Sequence, residues 1–429
     1  MDLNFYDVLI IGAGASGLIA AYELSLAGKK VAVVEARDRI GGRIHTISND
    51  NFSVPVELGA EFIHGDLALT KLLLKKAGLN STEVKGDLWQ KKGTDLTPQD
   101  DFIEDYDDLE KKFKELKDDL PVSAFIEEYL AGKKYEEVRF TLKNYVEGYY
   151  AADTSMASTF ALCEELSTSD DEQYRVEGGY LQLAQFLTDE STKRGASFYC
   201  SQGVQQINWS PNNIEIITPS RLFHSKKLLL TVPLGVIQQN IIRFVPQIKD
   251  KLQAAKQLGF GPVIKIVLEL HEAFWKLPEY TGHPDLDALG FLFSREEVPT
   301  WWTQYPSDVC LLTGWLAGPR AEKLKNLSNE EILQKAFTSL QQIFRLNTDI
   351  IEKNIKAWQI YNWATDPFNL GGYAYEVVNG PELRKVLKEP VANTLFFAGE
   401  ALFDGPAIGT VEAALVSGRD VAFNIIASS

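Results

Sequence analysis

The chain has 429 residues, with 43 lysines and arginines against 59 aspartates and glutamates, so its formal net charge is −16. At ~100–200 residues per domain this is enough chain for several domains and for a core able to enclose a cofactor. The acidic balance argues against a nucleic-acid binder, which needs a basic surface to neutralise phosphates.

Hydrophobic residues make up 45% and charged residues 24%, the usage of an ordered globular protein. Cys163, Cys200 and Cys310 are far apart and form no C-x-x-C pair. A disulfide framework or structural zinc site is therefore not expected, and a reducing compartment such as the cytoplasm fits. The five histidines lack metal-ligand spacing, so no metal is expected. No basic segment followed by an apolar run opens the sequence, and no stretch of about 18 apolar residues offers a membrane span.

Asp7 to Ile11 is a β-branched and apolar run that reads as a buried parallel strand. G-A-G-A-S-G follows, with Gly12, Gly14 and Gly17. Leu18 to Ala27 has helical character and Gly28 suits its C-cap. Lys30 to Val34 is a second β-branched run, closed by Glu35. Strand, glycine turn, helix, strand and acid form a dinucleotide-binding pattern. Gly12 permits the tight turn, Gly14 lets a pyrophosphate approach the backbone, and Gly17 lets helix and sheet pack closely. The helix start at Ala15 and Ser16 offers free N–H groups and partial positive charge. Glu35 can accept hydrogen bonds from a ribose, and an acid there disfavours the extra phosphate of NADP.

Asp100 to Leu120 alternates charged and apolar residues at helical spacing and predicts an exposed amphipathic helix. Its charges read as a solvated face. Further helices are predicted at Val122 to Leu130, Phe140 to Tyr150 and Glu330 to Phe344. Strands are predicted at Val204 to Trp209, Ile214 to Thr218, Lys227 to Val232, Val263 to Leu270 and Thr394 to Ala398. Within V-I-K-I-V-L-E-L, alternation puts Lys265 on one face with Val263, Val267 and Glu269. Periodicity alone makes it a lysine on a half-polar face or a guard at a sheet edge.

E-A-R-D-R-I-G-G-R (Glu35 to Arg43) resembles the signature of the flavin-dependent amine oxidases. E-L-G-A-E-F-I-H-G (Glu57 to Gly65), V-E-G-G-Y (Val176 to Tyr180) and T-V-P-L-G-V (Thr231 to Val236) resemble landmarks of that family. So do Lys265 in G-P-V-I-K-I, W-A-T-D-P-F-N-L-G-G-Y (Trp363 to Tyr373), F-F-A-G-E (Phe396 to Glu400) and G-T-V-E-A-A-L-V-S-G (Gly409 to Gly418), all in family order.

The resemblance implies an α/β flavoprotein: a Rossmann-like FAD-binding domain interleaved with a mixed α+β substrate domain. The FAD domain would take residues 1–75, 175–260 and 366–429, and the substrate domain residues 76–174 and 261–365. The cofactor implied is FAD, the substrates an amine and molecular oxygen. The carbon beside nitrogen would lose a hydride equivalent to flavin, the imine would be hydrolysed, and reoxidation would give hydrogen peroxide.

Cofactor contacts implied by the resemblance are Gly12, Gly14, Ala15, Ser16, Gly17, Glu35, Ala36, Arg37, Gly42 and Arg43, then Gly59, Ala60, Glu61 and Phe62 along the flavin ring. Val204 would sit near the adenine. Val232, Gly399, Glu400, Thr410 and Val411 complete the set. Lys265 would hold a water near flavin N5. Tyr373 would stand at the flavin face, with Trp363 nearby.

Monoamine oxidases carry a second tyrosine where Thr410 stands, whereas polyamine oxidases and flavin-type histone demethylases carry a small residue. His64 is similar to a channel histidine of polyamine oxidases and would touch substrate. Glu412 departs from the histidine common in that branch. A polyamine or related amine is therefore expected, with monoamine or L-amino-acid oxidation, or a carotenoid-type desaturation, as alternatives on the same scaffold. The cysteine that anchors flavin in monoamine oxidases would fall at Gly372, so attachment is expected to be non-covalent. Denaturation should release FAD intact; flavin absorbance staying with the unfolded chain would overturn this.

Overall fold

The computed structural model describes residues 5–65, 67–103, 106–168 and 172–428. Two β-sheets organise it. The first runs in the order Ser197–Tyr199, Val31–Val34, Phe5–Ile11, Leu222–Leu230, Asn213–Ile217, Gln206–Ser210 and Arg243–Val245. Leu395–Phe397 pairs with the far end of Leu222–Leu230. The pairs centred on Phe5–Ile11 are parallel, and in register Ile11 faces both Val34 and Leu230. Leu230 in turn faces Phe397. The carboxyl ends of four strands therefore stop at one level, where Gly12, Glu35, Thr231 and Ala398 follow. In open parallel sheets that edge is where ligands bind.

The helix Ala15–Leu26 leaves this edge and packs against the C-terminal helix Val411–Ala427. The approach is close enough that a Cβ on Gly418 would lie 2.2 Å from the Ser16 carbonyl oxygen. Gly28 adopts a left-handed φ of +73° just beyond the first helix, as its C-cap role requires.

The second sheet runs Ile355–Asn362, Val263–Leu270, Leu311–Ala317, Thr300–Thr303, Leu289–Phe293, Asp87–Lys92 and Asp95–Gln99. Its two faces differ. One packs Ile264, Ile266, Trp301, Leu292 and Leu316 against the helix Asn329–Phe344. The other carries Lys265, Trp315, Trp302 and Phe291 toward the first sheet. Register explains this set: Lys265 faces Trp315, and Trp302 faces Phe291 across the neighbouring pair.

Three expectations change. Val263–Leu270 is an interior strand flanked on both sides, and Lys265 is 1% exposed, so it guards no edge. The long amphipathic helix shrinks to Tyr106–Phe113, with residues 104 and 105 outside the described residues. Downstream, Asp119 turns its carboxylate to Ser158 Oγ (2.8 Å) and Phe160 N–H (3.0 Å). Pro121 disfavours helix at Leu120 as well. The helix predicted at Phe140 begins earlier, as Glu136–Asn144, and widens into a π turn over Tyr145–Tyr149. Such turns often sit at functional sites. The three cysteines are free, and among the described residues no helix is long and apolar enough to cross a membrane.

Two buried carboxylates tie distant segments together. Glu412 accepts from Leu69 N–H (2.9 Å), Thr70 N–H (2.7 Å) and Thr70 Oγ1 (2.6 Å). It thereby caps the helix Ala68–Ala77 from the C-terminal helix, which gives this departure from the family pattern a structural purpose. Glu57 accepts from Tyr180 N–H (2.6 Å) and Thr46 Oγ1 (2.9 Å). Burial nevertheless raises its pKa to about 7.

Glu412→Ala should cost roughly 3 kcal/mol, because it leaves three buried donors short of an acceptor; an unchanged melting temperature would refute the cap. Glu57 binds its proton more tightly when folded than when unfolded. Its stabilising effect is therefore complete below about pH 4.5 and is lost as pH rises past about 7. Glu57→Gln should accordingly raise the melting temperature more at alkaline than at acidic pH. Equal shifts at both would show that Glu57 does not titrate there.

Candidate active site

The glycine turn forms the floor of the first half-site. Gly12 has φ +107°, and a Cβ there would meet Thr231 Oγ1 at 2.8 Å. A Cβ on Gly17 would meet the Gly12 carbonyl oxygen at 2.0 Å, so the helix can start here only with glycine. Gly14 differs: its Cβ would have no neighbour closer than 4.0 Å. Gly399, at φ +153°, faces space with nothing within 4 Å. Ser16 Oγ, in the first turn of the helix that follows Gly14, is buried without a partner. Open backbone, a helix N-terminus and an unmatched hydroxyl fit a phosphate-bearing dinucleotide.

The acid and arginines around this turn are already engaged. Glu35 accepts from Ala13 N–H (2.7 Å) and Arg37 N–H (2.9 Å), leaving part of each oxygen for a ribose. Arg37 forms a two-pronged ion pair with Asp366, at 2.9 and 2.5 Å, and Tyr361 donates to the same carboxylate. Arg43 bonds Glu400 (2.6 Å) and the Gly372 carbonyl (2.9 Å). Arg39 bonds the Gly42 carbonyl (2.9 Å). These guanidiniums brace the loops around the turn.

Val204 is buried just after Gln202, whose N–H bonds the Glu35 carbonyl. Ala36 lies between Glu35 and Arg37. Val232 follows Thr231 at the strand ends and is partly buried in the core. Thr410 caps the C-terminal helix, accepting from Ala413 N–H (3.1 Å), and Val411 opens that helix. A Cβ on neighbouring Gly409 would lie 3.2 Å from Tyr373, so the Thr410 turn abuts that ring.

The second half-site is lined by aromatic rings. Tyr373 stacks on Trp315 (6.5 Å between centroids, 17°), and Trp315 meets Trp302 (5.7 Å). Phe62 follows (5.6 Å from Trp302), then His64 (6.0 Å) and Tyr149 (5.3 Å). Tyr373 closes the circuit by donating its hydroxyl to the Tyr149 carbonyl. The π turn is what delivers Tyr149 to this position. Burial holds the His64 imidazole down at about 4, so it is neutral at neutral pH.

Beside the rings lies a charged cluster. Lys265 Nζ donates to Glu61 Oε2 (2.7 Å) and to the Gly59 carbonyl (3.2 Å). Glu61 Oε1 accepts from Arg175 Nε (2.9 Å), Trp302 Nε1 (3.1 Å) and Gln304 Nε2 (3.1 Å). Gly59 is forced: a Cβ would lie 1.9 Å from the Arg43 carbonyl oxygen, with which Ala60 N–H bonds at 3.0 Å. Trp363 sits beneath this segment, buried, its indole N–H bonded to the Leu58 carbonyl at 2.8 Å. It supports Gly59, and the core cluster it belongs to packs against Trp315 and Tyr373. Gly372 leaves no room for a larger side chain, since a Cβ would be 2.5 Å from Val263.

The structure thus gathers Lys265, Glu61, Phe62, His64 and Tyr373 into one enclosure. Sequence reasoning missed Tyr149, Arg175, Gln304, Trp302, Trp315, Phe291 and Asp366. Alternation within T-W-W-T and L-L-T-G-W-L-A was the available signal for two of them. Among the described residues no group of three or more His, Cys, Asp or Glu forms a metal site.

The family described as "Flavin containing amine oxidoreductase" matches residues 15–123 and 90–426. The chain is 30% identical over 431 residues to probable polyamine oxidase 4 of Arabidopsis thaliana, covering 92% of this chain and 82% of that one. It is 28% identical to polyamine oxidase 5 of Oryza sativa subsp. japonica, over 96% of this chain and 87% of the relative. Lysine-specific histone demethylase 1B of Mus musculus is 27% identical over 92% of this chain and 50% of its own length. A putrescine oxidase triple mutant superposes with a TM-score of 0.82 at 20% identity, covering 99% of both chains. Cyclohexylamine oxidase from Brevibacterium oxydans gives 0.79 at 20% identity, also covering 99% of both. Signature, fold and site agree: this chain is a member of the flavin-containing amine oxidoreductases, an FAD-dependent amine oxidase.

Proposed function

We propose that the enzyme oxidises a polyamine or a related amine with several cationic nitrogens. The ring circuit beside Lys265 is the observation that carries the reading, and the names of the relatives narrow the amine class. When bound, flavin would supply the redox chemistry, as the acceptor of a hydride equivalent from the carbon beside nitrogen. FAD would be held non-covalently by Gly12, Gly14, Ser16, Glu35 and Gly399. The first sheet would bind it and the second would carry the substrate side.

The chain's own residues do the rest. Tyr373, Trp315, Trp302, Phe62 and Tyr149 would hold an alkyl amine between apolar walls. Those walls exclude water and favour the neutral amine, the form able to give up hydride. Neutral His64 adds a polar atom to the wall without adding charge. Lys265 would orient a water beside the reacting carbon through its ammonium donors. Thr410 would leave room for the substrate next to Tyr373.

Anaerobic mixing with polyamines, monoamines and L-amino acids should bleach bound flavin fastest with a polyamine. Bleaching by L-amino acids alone would overturn the proposal. With a net charge of −16, kcat/KM for a polyamine should fall with ionic strength more steeply than for a monoamine. Lys265→Met should slow flavin reduction or reoxidation, and unchanged rates in both would remove it from the mechanism.

A further inference from the structure

We infer that Glu61 is a positioning residue that keeps Lys265 in its ammonium form, so that the lysine serves as a hydrogen-bond donor and not as a base. The inference rests on the amine-oxidase reading of the site and adds a residue to it. Glu61 belongs to the segment that runs past the glycine turn, whereas Lys265 belongs to the second sheet. Their contact is the charged link across the enclosure, 2.7 Å between Nζ and Oε2.

Lys265 is 1% exposed and cannot keep its charge by hydration. A lone lysine at such depth gives up its proton. An ammonium has three donors. Glu61 and the Gly59 carbonyl take two, and the Trp302 ring, 5.4 Å from Nζ, adds cation–π attraction. One donor is left for the site.

The carboxylate is itself fixed. Three donors from three positions hold Oε1: Arg175, Trp302 and Gln304. Oε2 is thereby aimed at Lys265. Burial pushes the Glu61 carboxyl up, but Lys265 and Arg175 outweigh it and hold the value at about 2. Every group hydrogen-bonded to Glu61 is a donor, so a neutral amide could not replace it without setting N–H against N–H. The charged and titratable neighbours of the pair on the surrounding strands include Arg175, Glu57 and Tyr361, which faces Lys265 across the neighbouring strand and donates its hydroxyl to Asp366. Arg175 keeps the Thr303 carbonyl (3.0 Å) as a separate acceptor, and Glu57 is bonded to Thr46 and Tyr180.

The test uses the flavin-loaded protein. The visible spectrum of bound oxidised flavin is titrated without substrate from about pH 6 to about pH 10, and anaerobic reduction by spermine is followed over the same range. In Glu61→Gln, a single-proton transition should enter this range in both measurements, displaced by about tenfold or more in proton affinity from the wild type. Glu61→Asp, which keeps the charge on a shorter arm, should lie between. The transition should vanish when Lys265→Met is added to either variant.

Identical pH profiles for wild type and Glu61→Gln would overturn the inference. So would a new transition that survives Lys265→Met. If Glu61→Gln fails to fold, Glu61→Asp decides: a lysine-dependent transition in range supports the inference and its absence refutes it. Because the spectral titration needs no amine, failure of every amine to reduce the flavin would sink the functional reading while leaving the Glu61 result to stand by itself.

Discussion

A cation buried in the middle of a β-sheet must have an anion beside it, and the Lys265–Glu61 pair meets that constraint at the seam of the molecule. Removing two charges from water costs several kcal/mol per ion unless hydrogen bonds satisfy both. Here Glu61 is met by four donors, and Lys265 by Glu61 and Gly59 with one ammonium donor left for the site. The consequence is positional. Glu61 can reach Lys265 only if the segment Gly59–Phe62 is clamped at the right height, and Lys265 can point there only if its strand is interior and in register with Trp315.

The clamp is built from backbone. Gly59 fits under the Arg43 carbonyl, Trp363 closes the underside, and Arg43 is braced by Glu400 and Gly372. Arg43 also follows Gly41 and Gly42, both at positive φ, beside Gly14. A single run of close contacts thus joins the glycine turn, the lysine and the C-terminal strand end. Residues expected at the site from sequence also act as braces. Arg37, held by Asp366, and Trp363, bonded to Leu58, are the clearest cases.

What the sequence made legible was local. The strand–glycine–helix–strand pattern reads directly because each glycine answers a steric demand within about thirty residues. Lys265 was also placed on its correct face by alternation alone. Its partner was not, because nothing near Lys265 signals a carboxylate some two hundred positions earlier, at Glu61. The same holds for the rings: Tyr149, Trp302, Trp315 and Phe62 meet only after two sheets and a π turn are assembled. Resemblance supplied Tyr373 and His64 but could not supply what encloses them. The amphipathic stretch at Asp100 misled because periodicity reports a helix face but not the long-range capping demand that Asp119 meets.

The electrostatics of the enclosure carry one further step. The molecule as a whole is acidic, which favours the approach of a protonated amine. Inside the enclosure the Glu61 carboxylate is surrounded by Lys265 and Arg175, and His64 is neutral. On the proposed reading an amine thus travels from a field that stabilises its charge into one that does not. That gradient favours transfer of the amine's proton to solvent water as it enters, without a dedicated base in the wall. It also explains why Lys265 should be kept charged. A neutral lysine would compete for the proton just released, whereas an ammonium paired to Glu61 cannot take it.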